Sequence, residues 1–160
     1  MDNVIKTKNE ILEIRNRYKK QGKKVVFTNG VFDILHAGHV DYLAKAKKYG
    51  DVLILALNSD ASVKRIKGNK KPIVPQNERA FILSNLKSVD YVTVFEEDTP
   101  QEIIDILVPD VLVKGADWPL DKIVGRDTVE KNGGVVKRIE FVSQQSTTNI
   151  IKKILTVYNE

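Results

Sequence analysis

Two histidines, His36 and His39, stand three residues apart around Gly38 in the stretch FTNGVFDILHAGHVDYL, and the chain has no others. Side chains three apart on a helix share a face, so on a first helical turn the pair would point at one ligand. A helix start adds unpaired backbone N–H groups and partial positive charge, which together hold phosphate. Gly38 has no Cβ and lets backbone or ligand come close. As N–H donors the two imidazoles suit phosphate oxygens and charge growing on a leaving pyrophosphate. The bland alternative is a pair of surface histidines capping a helix. Metal ligation fits less well, because zinc sites use a third or fourth protein ligand and Asp33 is the candidate nearby.

The segments around this pair alternate between apolar runs and amphipathic stretches. VVFTNG (Val25 to Gly30) predicts a buried strand, and GHVDYLAKAKKYG a helix stopped by Gly50. DVLILALNS is a second strand, QNERAFILSNLKS (Gln76 to Ser88) a second helix, and DYVTVFEE a third strand. TPQEIIDIL predicts a helix opened by a capping box from Thr99 to Glu102, with Pro100 at the first helical position. DVLVKG and GVVKRIEFV are the fourth and fifth strands, and STTNIIKKILTVY a last helix capped by Ser146, Thr147 or Thr148. Ile11, Leu12, Arg15 and Tyr18 mark an amphipathic helix before the first strand.

Strands rich in Val, Leu and Ile on both parities, separated by helices, call for a parallel sheet covered on both faces. The expected fold is α/β, a Rossmann-like doubly wound parallel sheet of five strands. Ligands bind such sheets at the carboxyl ends of the strands, where the histidine stretch begins. With 160 residues, one domain is expected, an N-terminal helix over 1–22 and a core over 23–160.

A net charge of +5 and a pI of about 9.3 suit anionic ligands. With no cysteine, disulfides, thiolate zinc sites and thiol catalysis are excluded. The polar start MDNVIKTKNEILEI is unlike a secretory signal, and the apolar run VLILAL is far too short to cross a bilayer. A cytoplasmic protein with no membrane partner is expected. The basic residues are spread along the chain without interleaved aromatics, so nucleic acid is not an expected partner.

TNGVFDILHAGHVDYLAKAKKYGD, ALNSDASVKRIKG, FEEDTPQEIIDILVPDVLVKGADW and STTNIIKKI together resemble the HxGH nucleotidyltransferase superfamily, in its cytidylyltransferase-like branch. Within it the chain is most similar to adenylyltransferase domains that make ADP-heptose from D-glycero-D-manno-heptose 1-phosphate. The resemblance implies that His36 and His39 act catalytically on the triphosphate, and that Thr28, Asn29, Gly30, Phe32, Asp33 and Gly38 form the loop against the nucleotide. VKRIKGNKKP corresponds to a mobile basic loop closing over phosphates, with Lys64 or Lys67 acting on the transition state. A solvated charged helix end is its bland alternative.

Arg79 corresponds to an arginine that organises the substrate site, against the alternative of a surface salt bridge. Asp33 is expected to fix the loop through backbone N–H groups. Lys114, Gly115 and Asp117 resemble a nucleotide-contacting turn, and Trp118 either stacks near base or sugar or simply packs. Ser146, Thr147 and Thr148 resemble a second phosphate motif. Many cytidylyltransferases carry an arginine shortly before it; VSQQSTT has none, which leaves the positive charge on that side unassigned.

The implied reaction needs no catalytic base, since a sugar 1-phosphate is mostly a dianion near pH 7. Positioning and fixed donors are what it requires. The implied partners are ATP or another nucleoside triphosphate, a sugar 1-phosphate, a second copy of the chain with the N-terminal helix as contact, and a separate sugar kinase. Mg2+ is expected with the triphosphate, its protein ligand unassigned. Alternatives are GTP with the other heptose anomer, a cytidylyltransferase for glycerol 3-phosphate, and a binding module without turnover.

Overall fold

The computed structural model describes residues 4–141 and 146–158. Five strands form one all-parallel sheet: β1 (Val25–Gly30), β2 (Val52–Asn58), β3 (Tyr91–Phe95), β4 (Val111–Gly115) and β5 (Val135–Ile139), in the spatial order β3-β2-β1-β4-β5. The α/β doubly wound sheet expected from the strand composition is therefore present. Every residue of β2 is buried, as a strand covered on both faces must be.

Strand parity divides the core in two. Val26, Leu53, Leu55, Leu57 and Val92 pack with Tyr42, Leu43 and Ala46 of α2 (Ala37–Lys47) and with Ala80 and Leu83 of α4 (Gln76–Ser84). Val25, Phe27, Val52, Ile54 and Ala56 pack on the other face. Their partners are Ile11 and Ile14 of α1 (Lys8–Lys20), Ile103, Ile104 and Leu107 of α5 (Gln101–Leu107), and Val129 of α6 (Arg126–Lys131). Arg15 joins the same face, donating to the Leu107 and Val108 carbonyls at the end of α5 and pairing with Asp110 at 3.0 Å.

Several boundaries differ from expectation. The basic segment is not all loop: Asp60–Lys67 is a helix, α3, capped by the Ser59 side chain and ended by Gly68 at φ 89°. The helix from Gln76 stops at Ser84 rather than Ser88, because Asn85 turns back and its amide bonds the Phe81 carbonyl. The Thr99–Glu102 capping box does not form. Pro100 is the N-cap of α5, without a side-chain cap bond, and Glu102 reaches Lys8 of α1 at 3.0 Å. The capping box that does form is Thr7 with Glu10, opening α1. A 3-10 turn (Leu120–Lys122) and α6 occupy the stretch before β5. Val142 of the expected fifth strand lies outside the described residues, and so do the glutamines before Ser146.

The chain moves outward from β1 through β2 to β3, then crosses back to lay β4 on the other side of β1. The connections after β1 and β4 consequently diverge, leaving a crevice at the carboxyl ends of these two strands.

Candidate active site

A cavity of about 680 Å³ occupies that crevice, a size suited to a small-molecule ligand. Asn29, Gly30, Phe32, Asp33 and His39 line it from the β1–α2 side, Lys67 and Lys71 from the basic segment, and Lys114, Gly115, Asp117 and Trp118 from the end of β4. Thr147 and Thr148 at the start of α7 (Thr147–Tyr158) complete it.

The β1–α2 loop is built to aim the histidines. Phe32 sits at φ 46°, a left-handed conformation that costs a non-glycine residue about 1–3 kcal/mol. Its ring folds back over Gly30, where an added Cβ would come within 2.8 Å of it, and its edge meets the His39 ring at 5.2 Å. His36 is the N-cap of α2, with extended backbone and no side-chain cap bond. Its ring stacks on His39 with centroids 3.8 Å apart. The two imidazoles thus share one face, as their spacing predicts, and capping is not what they do.

Nδ1 of each histidine is buried without a hydrogen-bond partner among the described residues. Burial lowers the pKa of both, and that of His39 falls to about 4, with the neighbouring His36 contributing after burial. Both are therefore neutral at pH 7, each offering one N–H donor. Gly38 is buried within α2 and does not line the cavity.

Beneath the loop lies a fully bonded polar floor. Arg79, 1% exposed, donates to the Val74, Val31 and Asn58 carbonyls at 2.9, 2.6 and 3.1 Å and to Asp60 at 2.7 Å. The expected arginine thus neither lines the cavity nor makes a surface ion pair. It ties the β1–α2 loop, the end of β2 and the start of α3 together from inside. Asp33 accepts from the Ile73 and Val74 amides at 2.8 and 2.9 Å and lies 3.7 Å from Lys71. It fixes backbone as expected, but the backbone belongs to the segment before α4 rather than to its own loop.

Thr28 lies deeper than a ligand contact. It is fully buried, its hydroxyl bonded to Tyr42 at 2.8 Å and to the Val113 carbonyl at 3.0 Å. Tyr42 reaches the same carbonyl at 3.1 Å, burial raises its pKa, and Phe141 stacks on its ring at 5.4 Å. Between the two candidate lysines the geometry distinguishes: Lys67 lines the cavity, whereas Lys64 is exposed and outside its lining. Arg65 pins α3 to the turn before α5 through Asp98 at 2.6 Å and the Glu96 carbonyl. Lys71 was missed as a separate candidate, although it belongs to the same basic run. Asn58, Asp98 and Phe141 also line the cavity with no local pattern to mark them.

Ser146 is the residue of its trio that caps α7, its Oγ accepting from the Asn149 amide at 3.1 Å, while Thr147 and Thr148 face the cavity. Trp118 is 46% exposed, so it is not a packing residue; the Lys114 ammonium lies 5.3 Å from its ring centre. Among the described residues no three His, Asp or Glu side chains cluster to hold a metal ion. Of the carboxylates that line the cavity, Asp33 is already bonded to amides and Asp98 to Arg65, while Asp117 remains.

Relatives share this framework. The chain is 59% identical over 142 residues to the bifunctional protein HldE of Geobacter sulfurreducens, covering 89% of this chain and 29% of that one. It is 55% identical over 159 residues to the protein of the same name in Geobacter metallireducens, covering 99% and 32%. The chain thus spans about a third of the length of these relatives. A lipopolysaccharide core biosynthesis protein from Thermoplasma volcanium superposes with a TM-score of 0.63 at 33% identity, covering 78% of this chain and all of that one. Pantoate-beta-alanine ligase from Francisella tularensis has a TM-score of 0.63 at 16% identity, over 98% of this chain and 79% of that one, a likeness of fold alone. Residues 27–154, from β1 into α7, match the cytidylyltransferase-like family, which takes in both the histidine stack and the threonines of α7; the chain belongs to that family and is a nucleotidyltransferase.

Proposed function

We propose that this chain transfers a nucleoside monophosphate from ATP to D-glycero-D-manno-heptose 1-phosphate, releasing pyrophosphate and making ADP-heptose for surface polysaccharide. The observation that carries the proposal is the neutral, stacked His36–His39 pair at the start of α2, whose buried Nδ1 atoms have no partner among the described residues. An unpaired buried polar atom calls for a ligand or water. The printed name of the Thermoplasma volcanium relative, lipopolysaccharide core biosynthesis, supports the polysaccharide assignment.

In the reaction an oxygen of the sugar 1-phosphate bonds to the α-phosphorus of ATP. The bond from that phosphorus to its bridging oxygen breaks, and the electron pair leaves with pyrophosphate. His36 and His39 donate N–H bonds to phosphate oxygens on the leaving side, where charge grows. The start of α7, where Thr147 donates to the Ile34 carbonyl of the histidine loop at 3.4 Å, holds phosphate beside the histidines. Lys67 and Lys71 add positive charge from the basic segment, and Gly30 and Gly115 keep the cavity floor low. Asp117 and Trp118 offer contacts to ribose and base. Mg2+ would arrive held by the triphosphate oxygens, supplying charge neutralisation.

A homodimer is a further part of the proposal. The apolar stripe of α1 is buried against the sheet, so a contact through that helix would use its outer face. A sugar kinase acting earlier would supply the sugar 1-phosphate, and the word bifunctional in the relatives' name is consistent with two linked activities.

Pyrophosphate release decides the matter. ATP, GTP and CTP are tested with Mg2+ against both anomers of heptose 1-phosphate and against glycerol 3-phosphate, with product mass recorded. Release with ATP and one heptose anomer is expected. Release with CTP and glycerol 3-phosphate alone would replace the proposal.

A further inference from the structure

We infer that Lys114 holds the phosphate of the incoming sugar 1-phosphate, which makes the half of the cavity between β1, β4 and the turn before α5 the acceptor subsite. The inference rests on the nucleotidyltransferase reading above and adds where the second substrate sits.

Strand parity gives the geometry. Lys114 follows Leu112 two residues on, and Asn29 follows Phe27 in the same way, so both belong to the sheet face covered by α1, α5 and α6. His39 belongs to α2, on the opposite face. The cavity therefore straddles the crest of the sheet, with His39 and the α7 threonines on one side; His36, stacked behind His39, is not itself part of the lining. Lys114, Asn29, Thr99, Pro100 and Val124 line the other. Displacement at phosphorus places the entering and leaving oxygens roughly in line, on opposite sides of the reacting atom. With the histidines on the leaving pyrophosphate, the entering phosphate comes from the side that Lys114 occupies.

Among the described residues no carboxylate forms an ion pair with Lys114. Its ammonium is mostly buried, bonded to the Asn29 side-chain oxygen at 3.1 Å and lying against the Trp118 ring. Asp117 in the following turn is the carboxylate whose charge favours it; Asp98, in the turn before α5, lines the same cavity but is paired with Arg65 at 2.6 Å, Arg138 is the register partner of Lys114 on β5, and Lys67 and Lys71 also line the cavity. Burial outweighs Asp117 and lowers its pKa to about 8. A dianion at this position would restore the missing charge.

The test measures KM for ATP and for heptose 1-phosphate separately in the wild type, Lys114→Met, Lys114→Gln and Lys114→Arg, with thermal melts to confirm folding. Losing a hydrogen bond to a charged group is worth about 10- to 100-fold, so acceptor KM should rise by that factor in the Met and Gln variants. ATP KM should move less than about twofold, and arginine should recover part of the loss, a cation being what the site needs. Wild-type acceptor KM should climb as pH passes 8, and that climb should vanish in Lys114→Met. An unchanged acceptor KM in both neutral variants, or an equal rise for ATP, overturns the inference while leaving the enzyme active. If wild-type protein binds ATP but turns over no sugar phosphate, the proposed function itself has failed, and the acceptor subsite fails with it.

Discussion

Arg79 and the His36–His39 pair govern the two ends of one loop, and they are bonded to opposite degrees. At one end Arg79 donates to Val31 and to three further acceptors while almost wholly buried. At the other, His36 and His39 stack on each other and keep buried Nδ1 atoms without a partner among the described residues. A satisfied buried network rigidifies its surroundings, whereas unsatisfied buried polar atoms are tolerated chiefly where a ligand will complete them. The contrast separates a residue that positions the site from residues that meet the substrate. A charged side chain named by motif resemblance alone does not reveal which kind it is.

The comparison breaks most visibly at Arg79. Replacing it with methionine leaves Asp60 and three carbonyls without their partner, and losing one member of a buried pair costs about 3–5 kcal/mol. The expected result is a large fall in the urea midpoint, with activity lost in proportion to unfolding. A variant of wild-type stability would show that the floor is not structural.

His39→Ala should do the reverse. Removing one preorganised donor costs about 3–4 kcal/mol of transition-state stabilisation, or two to three powers of ten in rate. Cooperative melting should survive. Near wild-type turnover would remove the histidine from the proposed mechanism.

The smallest effect is on acid stability. His39 titrates at about 4 when folded and near its ordinary value of 6.5 when unfolded. Between those values the unfolded chain binds more protons, so stability falls as pH drops from 6.5 towards 4 and is unaffected above that window. His36 shifts in the same direction. Urea midpoints at pH 7.5 and 5 should differ less in His39→Gln than in the wild type. An equal difference in both would assign the acid sensitivity to other groups.

The central strands were legible because a parallel strand buried on both faces must be apolar on both parities, as VLILAL in β2 is; β5, at the sheet edge, is mostly exposed and carries Lys137 and Arg138. The histidine spacing was legible because helix geometry places residues three apart on one face. Where prediction failed, a distant residue had intervened. Thr99 and Glu102 have the spacing of a capping box, yet Lys8, more than ninety positions away, draws the glutamate off. The six residues of α6 bury only Val129, too few to show a period. Thr28 and Phe32 carry neighbouring positions of one motif, but one is buried under Tyr42 and the other folds back over Gly30.

The sequence by itself determined the alternation of strand and helix, the paired histidines at a helix start, and the family motifs that name the chemistry. These follow from local periodicity and residue type, which a short window contains. Only the tertiary structure decided that Lys67 and not Lys64 lines the cavity, that Arg79 lies beneath the site, and that Lys114 stands across the sheet crest from the histidines. Each of those outcomes depends on burial and on partners brought together by the crossing from β3 back to β4, and no local stretch of chain encodes either.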